Sequence, residues 1–377
     1  MKAYRFRIYP NGIQIKLMES HLETARKLWN RLLMETKELY DKEKKFYTKS
    51  ELQSMSKRTG LYSQTSNGVA HRLYRAIRAK IKMKKKELKW GFPRFKKYCQ
   101  LRSLYYPQSG FKLEDKLKVT PFGEIEIKQH RPIEGRIKTL TLKREPTGKW
   151  FAILVSDAPL SNNLKVGEGS VGVDFGLKTF ATLSDGKTVD SQRFSKKYEG
   201  KLAKEQRRLS KKKKGSNNRQ KAGMKVARIH EKIAASRRDF FHKTANELIR
   251  NYSFIALESL NARAMAQGWL GGSINDASWS AFTNILCYKA ENAGCKVVFV
   301  DPANTTQECS RCHEKVKKEL RERTHACPHC GLIMDRDLNA SKNILMKATA
   351  GTAGSKAFGD GAAVPSMNQE ADGFGHW

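Results

Sequence analysis

The sequence predicts a multidomain α/β protein that carries a small zinc-binding module. Three features predict it: a length of 377 residues, a hydrophobic pattern that alternates between strand and helix periods, and two closely spaced cysteine pairs. At about 150 residues per domain, this length corresponds to two or three domains. The hydrophobic content of 39% is sufficient to give these domains packed cores.

The charge balance is strongly basic. The chain has 73 Lys and Arg against 37 Asp and Glu, a formal net charge of +36. A field of this strength attracts polyanions and makes their binding salt-dependent. We therefore expect a nucleic-acid partner; an anionic membrane surface and a ribosome-like structural role are the alternatives.

Hydropathy and cysteine usage predict where the protein resides. No apolar run approaches the roughly 18 residues that cross a bilayer, and the first ten residues lack the apolar stretch of a signal peptide. Cys99, Cys287 and Cys295 are scattered, as expected for reduced thiols. We expect a cytoplasmic, nucleoid-associated protein rather than a secreted or membrane-spanning one.

The first half of the chain predicts a small β-structure with helices inserted into it. Residues 2–9 alternate as a strand, and apolar residues recur at helical spacing over residues 13–40 and 68–88. From residue 111 to residue 157 the period changes to two. Several short strands in this span are typical of a small antiparallel barrel or sheet, which the first strand completes.

The second half alternates short apolar strands with helices. Strands are predicted at Val171–Phe175, Phe180–Leu183, Phe254–Leu257 and Val297–Val300, with helices between them. The Gly- and Ala-rich tail, residues 350–377, lacks periodicity and is predicted to be disordered.

Two basic segments carry much of the excess charge. Residues 72–97 have twelve Lys or Arg and one acid, and they end in GFPRFKKY, where aromatic and basic residues interleave. Residues 201–232 have thirteen Lys or Arg and two acids. Each segment fits a solvated helix face. In residues 72–97, the interleaved aromatic residues favour contact with phosphates and stacked bases.

The strongest local motif is a pair of CxxC knuckles. Cys309-Ser-Arg-Cys312 is followed after fourteen residues by Cys327-Pro-His-Cys330 and Gly331. Two such pairs place four thiolates around one Zn²⁺, and four protein ligands leave no open position for catalysis. We predict a structural zinc site; an exchange of one ligand for His313, His325 or His329 is the alternative.

A second candidate metal site comes from carboxylates at strand ends. Asp174 and Glu258 each end an apolar strand, and Asp335 and Asp337 open a helix directly after the second knuckle. Such acids can hold two Mg²⁺ ions for phosphodiester hydrolysis. Each acid alone also fits a turn, a surface position or a helix N-cap. Positions i and i+2 point about 200° apart on a helix, so only one of Asp335 and Asp337 can face the site.

These blocks resemble the TnpB family of OrfB-type transposon-encoded proteins, compact relatives of type V CRISPR effectors. The matching segments are VGVDFGLKTFATLSDG, FIALESLN, NTTQECSRC and ACPHCGLIMDRDLNASKNI. The resemblance implies an RNA-guided, Mg²⁺-dependent DNA endonuclease. It would use a guide RNA from a transposon end and a short flanking motif to cut double-stranded DNA. The resemblance also implies a RuvC-like nuclease of the RNase H fold with an inserted zinc ribbon, and an N-terminal wedge barrel with an inserted helical recognition lobe.

Carried onto this chain, the resemblance assigns Asp174, Glu258 and Asp337 as catalytic magnesium ligands. It assigns Cys309, Cys312, Cys327 and Cys330 as zinc ligands. His313 stands where the family commonly has glycine, and this departure falls in the turn of the first knuckle. The implied domains are the wedge barrel (1–12 and 108–166), the recognition lobe (13–107), the nuclease (167–300 and 332–349), the zinc ribbon (301–331) that binds target nucleic acid, and the tail (350–377).

Two other functions are compatible with the same residues. One is a protein-directed RuvC-type nuclease or transposase that needs no RNA. The other is a non-cleaving, RNA-guided DNA-binding regulator. The presence of all three acids argues against the second, because nuclease-dead relatives have no use for a complete ligand set.

Overall fold

A computed structural model describes residues 1–85, 91–159, 164–260, 265, 267, 271–319, 322–350 and 356–357. The chain forms two compact units, which comprise residues 1–159 and, from residue 164 onward, the described remainder. In these ranges no helix combines the length and apolar character that a membrane crossing requires.

The first unit is a sheet with three helices inserted after its first strand. The sheet is antiparallel throughout, in the order β2-β6-β7-β1-β5-β4-β3. The elements are β1 (Lys2–Tyr9), α1 (Gly12–Glu43), α2 (Lys49–Met55), α3 (Ser63–Lys85), β2 (Ser103–Tyr106), β3 (Phe111–Leu113), β4 (Leu117–Val119), β5 (Gly123–Lys128), β6 (Ile137–Arg144) and β7 (Trp150–Ser156).

This sheet is a near-barrel, in agreement with the predicted small antiparallel barrel or sheet. Among the described strands, β2 and β3 end the order and no ladder joins them. The two ends still approach each other, because the Tyr106 hydroxyl at the end of β2 donates to the Thr120 carbonyl beyond β4 at 2.9 Å. In a closed barrel, backbone hydrogen bonds would join the two end strands. In this sheet a side-chain hydrogen bond links the ends instead.

One hydrophobic core serves both the sheet and the helices of this unit. Every second residue of β1 is buried, as in Phe6 and Ile8, and these side chains share a cluster with Leu28 and Leu32 of α1. Helix α1 begins sharply because Asn11 and Gln14 form a reciprocal capping box. The predicted wedge and recognition lobe therefore belong to one packed unit.

The second unit is a mixed sheet with helices on both faces. Its elements are β8 (Gly169–Phe175), β9 (Thr179–Leu183), β10 (Thr188–Asp190), α4 (Phe194–Ser210), α5 (Asn217–Asn251), β11 (Tyr252–Glu258), α6 (Gly271–Ala277), α7 (Trp279–Ala293), β12 (Lys296–Val300), β13 (Thr324–Ala326), β14 (Ile333–Asp335), α8 (Arg336–Thr349) and β15 (Lys356–Ala357).

The strand order in the main sheet is β10-β9-β8-β11-β12-β15. Strands β8, β11 and β12 are parallel, while β9, β10 and β15 run antiparallel to their neighbours. Parallel strands need cover on both faces. One face packs on α5 and α7, and the other packs on α8. The short strand β15 and Ala350 are the described parts of the predicted tail; its other residues lie outside the described ranges.

Helix α8 lies unusually close to β8. A Cβ atom added to Gly172 would collide with the Ser341 carbonyl and crowd the Leu345 backbone in α8. Glycine at this position is what allows the helix to seat on the sheet. The contact fixes which face of β8 packs against α8. The acidic residue at the end of β8, Asp174, lies on that same face.

Candidate active site and zinc centre

Asp174 and Glu258 lie side by side at the carboxyl end of the parallel strands. Side chains alternate across a strand, so Asp174 shares the α8-facing side of β8 with Gly172. Glu258 likewise shares a face of β11 with Ala256, which packs in a cluster with α8. The register pairs Leu257 with Val173, so Glu258 and Asp174 are the next neighbours across the ladder.

Asp337 comes to this edge from α8, and Asp335 has a different role. The Asp335 side chain is the N-cap of the helix, accepting hydrogen bonds from the N–H groups of Asp337 at 2.8 Å and Leu338 at 3.1 Å. The Asp337 carboxylate contacts the guanidinium groups of Arg336 at 3.4 Å and Arg323 at 3.6 Å. Asp335 is therefore the cap of the helix, and Asp337 is the acid of this pair that remains a candidate site residue.

The electrostatics of Asp174 show that the acids influence one another. Burial raises the pKa of the Asp174 carboxyl well above its ordinary value, and the charges of Glu258 and Asp337 raise it further. Burial also raises the pKa of Glu258. Carboxylate oxygens are the donors that Mg²⁺ takes, and a divalent cation would offset this mutual repulsion. The three acids therefore fit a magnesium site.

Thr305 orients Glu258, a role that the sequence pattern did not reveal. Its hydroxyl donates to Glu258 Oε1 at 2.5 Å, and this hydrogen bond lowers the pKa of Glu258 against the effect of burial. Thr305 is buried, and it lies 47 residues from its partner along the chain. No local spacing signals a contact of this range.

Two buried asparagines of α8 connect Thr305 and the first knuckle to the helix. Asn343 Nδ2 donates to the carbonyls of Thr305 at 2.8 Å and Glu308 at 2.7 Å. Asn339, one turn earlier, donates to the Glu308 carbonyl at 2.7 Å and accepts from the Ser310 N–H at 2.9 Å. The helix that carries Asp337 therefore also supports the start of the zinc-binding module.

The four predicted cysteines form a tight cluster. Their sulfur atoms all lie within 4.8 Å of one another, with Cys309–Cys330 at 3.6 Å and Cys312–Cys327 at 3.5 Å. A tetrahedral zinc site with Zn–S bonds of about 2.3 Å holds its sulfurs about 3.8 Å apart, so the cluster fits Zn²⁺. In the part of the chain that the structure describes, no other group of three or more metal-ligating side chains is this compact, so the carboxylates form a more open set.

Each knuckle turns backbone N–H groups toward its first sulfur. Burial opposes ionisation, but the N–H groups of Cys312 and Arg311, together with hydrogen bonds from the Cys330 and Cys312 thiols, lower the pKa of Cys309 to about 7. The N–H groups of Cys330 and His329 do the same for Cys327, whose pKa is also lowered despite burial. Thiolates are the form that binds zinc. None of His313, His325 and His329 belongs to the cluster among the described residues.

His313 adopts the same left-handed backbone conformation as Gly331, which holds the equivalent position in the second knuckle. Its φ is 65°, close to the 72° of Gly331 in the second knuckle. In both turns the N–H group bonds back to the first cysteine carbonyl, from His313 to Cys309 at 3.0 Å and from Gly331 to Cys327 at 2.9 Å. The turn is retained, but a residue with a side chain occupies the left-handed region at some cost.

Comparison with known proteins identifies the family. The chain is 30% identical to "Putative RNA-guided DNA endonuclease InsQ" of Escherichia coli K12 over 372 residues, covering 92% of each chain. The chain belongs to the TnpB (OrfB) family. A second relative, "Putative RNA-guided DNA endonuclease" of Streptomyces pristinaespiralis, is 34% identical over 278 residues, covering 72% of this chain and 68% of the relative.

Three family models match separate parts of this TnpB-family chain. "Probable transposase" (OrfB_IS605) matches residues 153–268, and "Cas12f1-like, TNB domain" matches residues 279–344, which include the zinc-ligand candidates. "Helix-turn-helix domain" matches residues 1–45. In this structure that segment is strand β1 followed by the single 32-residue helix α1.

A solved structure shares the fold. The structure titled "Cryo-EM structure of the Cas12f1-sgRNA-target DNA complex" matches with a TM-score of 0.55 at 14% identity, covering 89% of this chain and 83% of that one. This similarity confirms the mixed α/β architecture.

In the first unit, the TnpB-family chain presents an aromatic strap, residues 91–98. Its backbone is fixed to α1: Trp29 Nε1 donates to the Arg94 carbonyl at 3.3 Å, and Asn30 makes a pair of hydrogen bonds with the Lys96 backbone at 2.8 and 3.0 Å. Phe95 remains 45% exposed and Tyr98 74% exposed. Rings displayed beside lysines are suited to stacking on bases.

In the second unit, α4 and α5 form a basic hairpin that spans residues 201–232. Helix α4 buries none of its residues fully, so its cations face solvent. The start of α4 is fixed by Asp276, which accepts from the Ser195 N–H and hydroxyl at 3.1 and 2.7 Å and pairs with Arg237 of α5 at 2.6 Å. The hairpin is thus a well-positioned cationic surface.

Proposed function

We propose that the protein is an RNA-guided DNA endonuclease. It uses a guide RNA derived from a transposon end, recognises a short motif beside its target and cuts double-stranded DNA. The observation that carries the proposal is the convergence of Asp174, Glu258 and Asp337, from three separate segments, at one edge of the sheet. The names of the two relatives support the same activity.

The nuclease is of the RuvC type, with an RNase H-like sheet. An antiparallel hairpin, β8–β10, followed by the parallel strands β11 and β12, supports this assignment. Ligands in open α/β sheets bind beyond the carboxyl ends of the strands, which is where these acids lie. The wedge (1–12 and 108–166) and the recognition lobe (13–107) lie in the first unit as far as residue 159, and residues 301–331 supply the zinc ribbon.

Asp174, Glu258 and Asp337 would hold the catalytic Mg²⁺, for which a pair of ions is proposed. When bound, Mg²⁺ supplies activation of the attacking water and stabilisation of the leaving 3′ oxygen. Thr305 holds the Glu258 carboxylate in place, and Asp335 caps the helix that presents Asp337. Zinc at the four cysteines is structural, because all four of its positions are filled by protein.

The cationic surfaces hold nucleic acid. The aromatic strap and the basic hairpin contact guide RNA and target through phosphate pairing and base stacking. In other RNA-guided effectors the protein reads the short flanking motif and base pairing reads the rest of the target. The same division of work is proposed for this chain.

The test compares two acids that are two residues apart. The protein is purified with RNA expressed from its own locus, then incubated with a plasmid library that carries a guide match beside randomised flanks. Asp337→Asn should lower cleavage by about 10³-fold or more, equivalent to roughly 4 kcal/mol in the barrier. Asp335→Asn keeps a side-chain oxygen that caps the helix about as well as aspartate does, so it should retain most activity.

Each outcome assigns a function. Cleavage that requires both RNA and Mg²⁺ and is lost only in the Asp337 variant supports the proposal. Cleavage without RNA would instead identify a protein-directed nuclease or transposase. RNA-dependent binding without cleavage by the wild-type protein would identify a regulator.

A further inference from the structure

One short segment, residues 303–310, connects the two candidate metal centres. It follows β12 and ends inside the first knuckle, and Thr305 and Cys309 lie four positions apart within it. The Thr305 hydroxyl donates to the Glu258 carboxylate, and Cys309 is one of the four clustered zinc-ligand candidates. A change in the path of this segment therefore affects both centres.

The segment has little freedom to bend between these two residues. The Glu308 N–H bonds back to the Asn304 carbonyl at 2.9 Å, which closes one turn around Thr305. Beyond this turn, the Cys309 N–H donates to the Glu314 carbonyl at 3.0 Å across the first knuckle. The turn that presents the Thr305 hydroxyl therefore continues directly into the zinc-binding loop.

Helix α8 holds the segment with a row of three polar side chains. Asn339, Asn343 and Lys347 follow one another at a spacing of four residues, so they lie on one face of the helix. The two asparagines bond to the backbone of the segment, as described above. Lys347 Nζ donates to the Ala303 carbonyl at 2.7 Å and pairs with the Glu308 carboxylate at 3.1 Å. One ammonium group therefore joins the two ends of the turn.

We propose that this segment makes the zinc site and the divalent-cation site bind their metals cooperatively. When zinc orders the first knuckle, the row on α8 has its backbone partners, and Thr305 is held against Glu258. Loss of zinc frees the segment at Cys309 and leaves Glu258 less well placed to bind a cation. Cooperative sites share one coupling free energy, so each metal raises the affinity for the other by the same factor.

The inference rests on the part of the proposed function that makes the acids a Mg²⁺ site, and it goes beyond the structural role of zinc. In it, Lys347 is a positioning residue, because it acts on Glu258 through the turn that carries Thr305. The pKa of Glu258 indicates the same proximity: burial raises it, whereas the Thr305 hydrogen bond and the charge of Lys347 lower it.

Four variants test the connection at different points. Thr305→Val removes the hydrogen bond to Glu258. Lys347→Met keeps the aliphatic stem and removes the ammonium group, and Lys347→Arg is its charge-retaining match. Lys342→Met removes a cation at an exposed position on the same helix and serves as the control.

The experiment measures the Mn²⁺ affinity of the full chain without nucleic acid, from the electron paramagnetic resonance of free Mn²⁺. Mn²⁺ takes the same oxygen ligands as Mg²⁺, and Asp174→Asn identifies the binding that belongs to the carboxylates. Zinc-loaded wild type should bind Mn²⁺ about tenfold more tightly than protein freed of zinc by chelation and dialysis. This ratio should fall below about twofold in Thr305→Val and to about threefold in Lys347→Met. Lys347→Arg and Lys342→Met should keep the wild-type ratio.

The reverse measurement titrates zinc out of the protein with a chromophoric chelator. Saturating Mg²⁺ should raise the zinc affinity of the wild-type protein by the same factor of about ten, and it should have little effect on Thr305→Val. This arm uses no activity readout and does not depend on Mn²⁺.

Equal Mn²⁺ affinity in the zinc-loaded and zinc-free protein would overturn the proposal, as would a tenfold ratio that persists in Thr305→Val or Lys347→Met. Loss of hydrogen-exchange protection in β8 and β11 of the zinc-free protein would also overturn it, because general unfolding would then explain the weaker binding. Failure of the proposed function is separate. A protein that binds the two metals cooperatively but does not cleave DNA would refute that function and support this inference.

Discussion

The two candidate metal centres of the second unit are built in opposite ways. The four sulfurs lie within 4.8 Å of one another, and backbone N–H groups lower the pKa of Cys309 and Cys327. The carboxylates are more open, and burial together with the neighbouring acids raises the pKa of Asp174. The first cysteine of each knuckle is therefore held toward its thiolate form, whereas burial and hydrogen bonds to the neighbouring thiols raise the pKa of Cys312 and Cys330. In the carboxylate site, by contrast, the raised pKa values of Asp174 and Glu258 show that ionisation is disfavoured without a cation.

Zinc removal should have the largest effect, because it removes the more tightly organised centre. Structural zinc contributes about 10–16 kcal/mol in small zinc modules. Chelation, or Cys327→Ser, should abolish hydrogen-exchange protection in residues 305–335 and should stop cleavage while β8 and β11 stay protected. Cys99→Ser changes an exposed cysteine in the first unit and should alter neither. Unchanged protection after zinc loss would show that the module folds without the metal.

Asp174→Asn should stabilise the metal-free protein while abolishing cleavage. A raised native pKa gives stability that is present below the unfolded value of about 3.9 and is lost as pH rises through the native value. With EDTA present, the variant should therefore unfold at a higher temperature than wild type at pH 7–8, and the difference should vanish toward pH 4. Each pKa unit is worth about 1.4 kcal/mol, so the gain should be a few degrees.

Asp190→Asn changes an acid outside the site and serves as the control for that measurement. It should leave the unfolding temperature unchanged across the same pH range. A lower unfolding temperature for Asp174→Asn at every pH would contradict the view that burial and the neighbouring acids disfavour an ionised Asp174.

Thr305→Val should lower cleavage about tenfold, equivalent to about 1.4 kcal/mol. The hydroxyl lowers the pKa of Glu258, so its loss should move the acid limb of the pH–rate profile to higher pH. Thr305→Ser should restore the profile, and Thr306→Val, at an exposed neighbour, should not change it. If Thr305→Val lowered the rate equally at every pH, without a shift of the pH–rate profile, Thr305 would contribute only packing and not the pKa of Glu258.

His313→Gly should have the smallest effect and should tighten the zinc centre. A non-glycine residue in the left-handed region costs about 1 kcal/mol, so glycine should slow zinc loss to a competing chelator about fivefold. Gly331→Ala, in the equivalent turn of the second knuckle, should have the opposite effect. Faster zinc loss from His313→Gly would mean that the imidazole itself stabilises the first knuckle.

The sequence predicted what depends on local pattern and missed what depends on distant contacts. The cysteine spacing led directly to the observed cluster, and acids at the ends of apolar strands led to Asp174 and Glu258. Spacing could not choose between Asp335 and Asp337, because the choice depends on which side chain caps the helix. Thr305 has no signature, since its partner lies on another strand. The cavity lined by Phe175, Glu258, Trp279 and Phe299 is formed by four segments that meet only in the folded unit.

Asn339 and Asn343 set a limit on how this protein can be shortened. Both carboxamides are buried, and their partners are backbone groups from Thr305 to Ser310 at the entrance to the zinc-binding module. A compact variant with a short linker in place of the module would leave these two amides facing a void with nothing to bond. The deletion would therefore need apolar replacements for Asn339 and Asn343 as well, because removal of the module alone would leave two buried amides without partners.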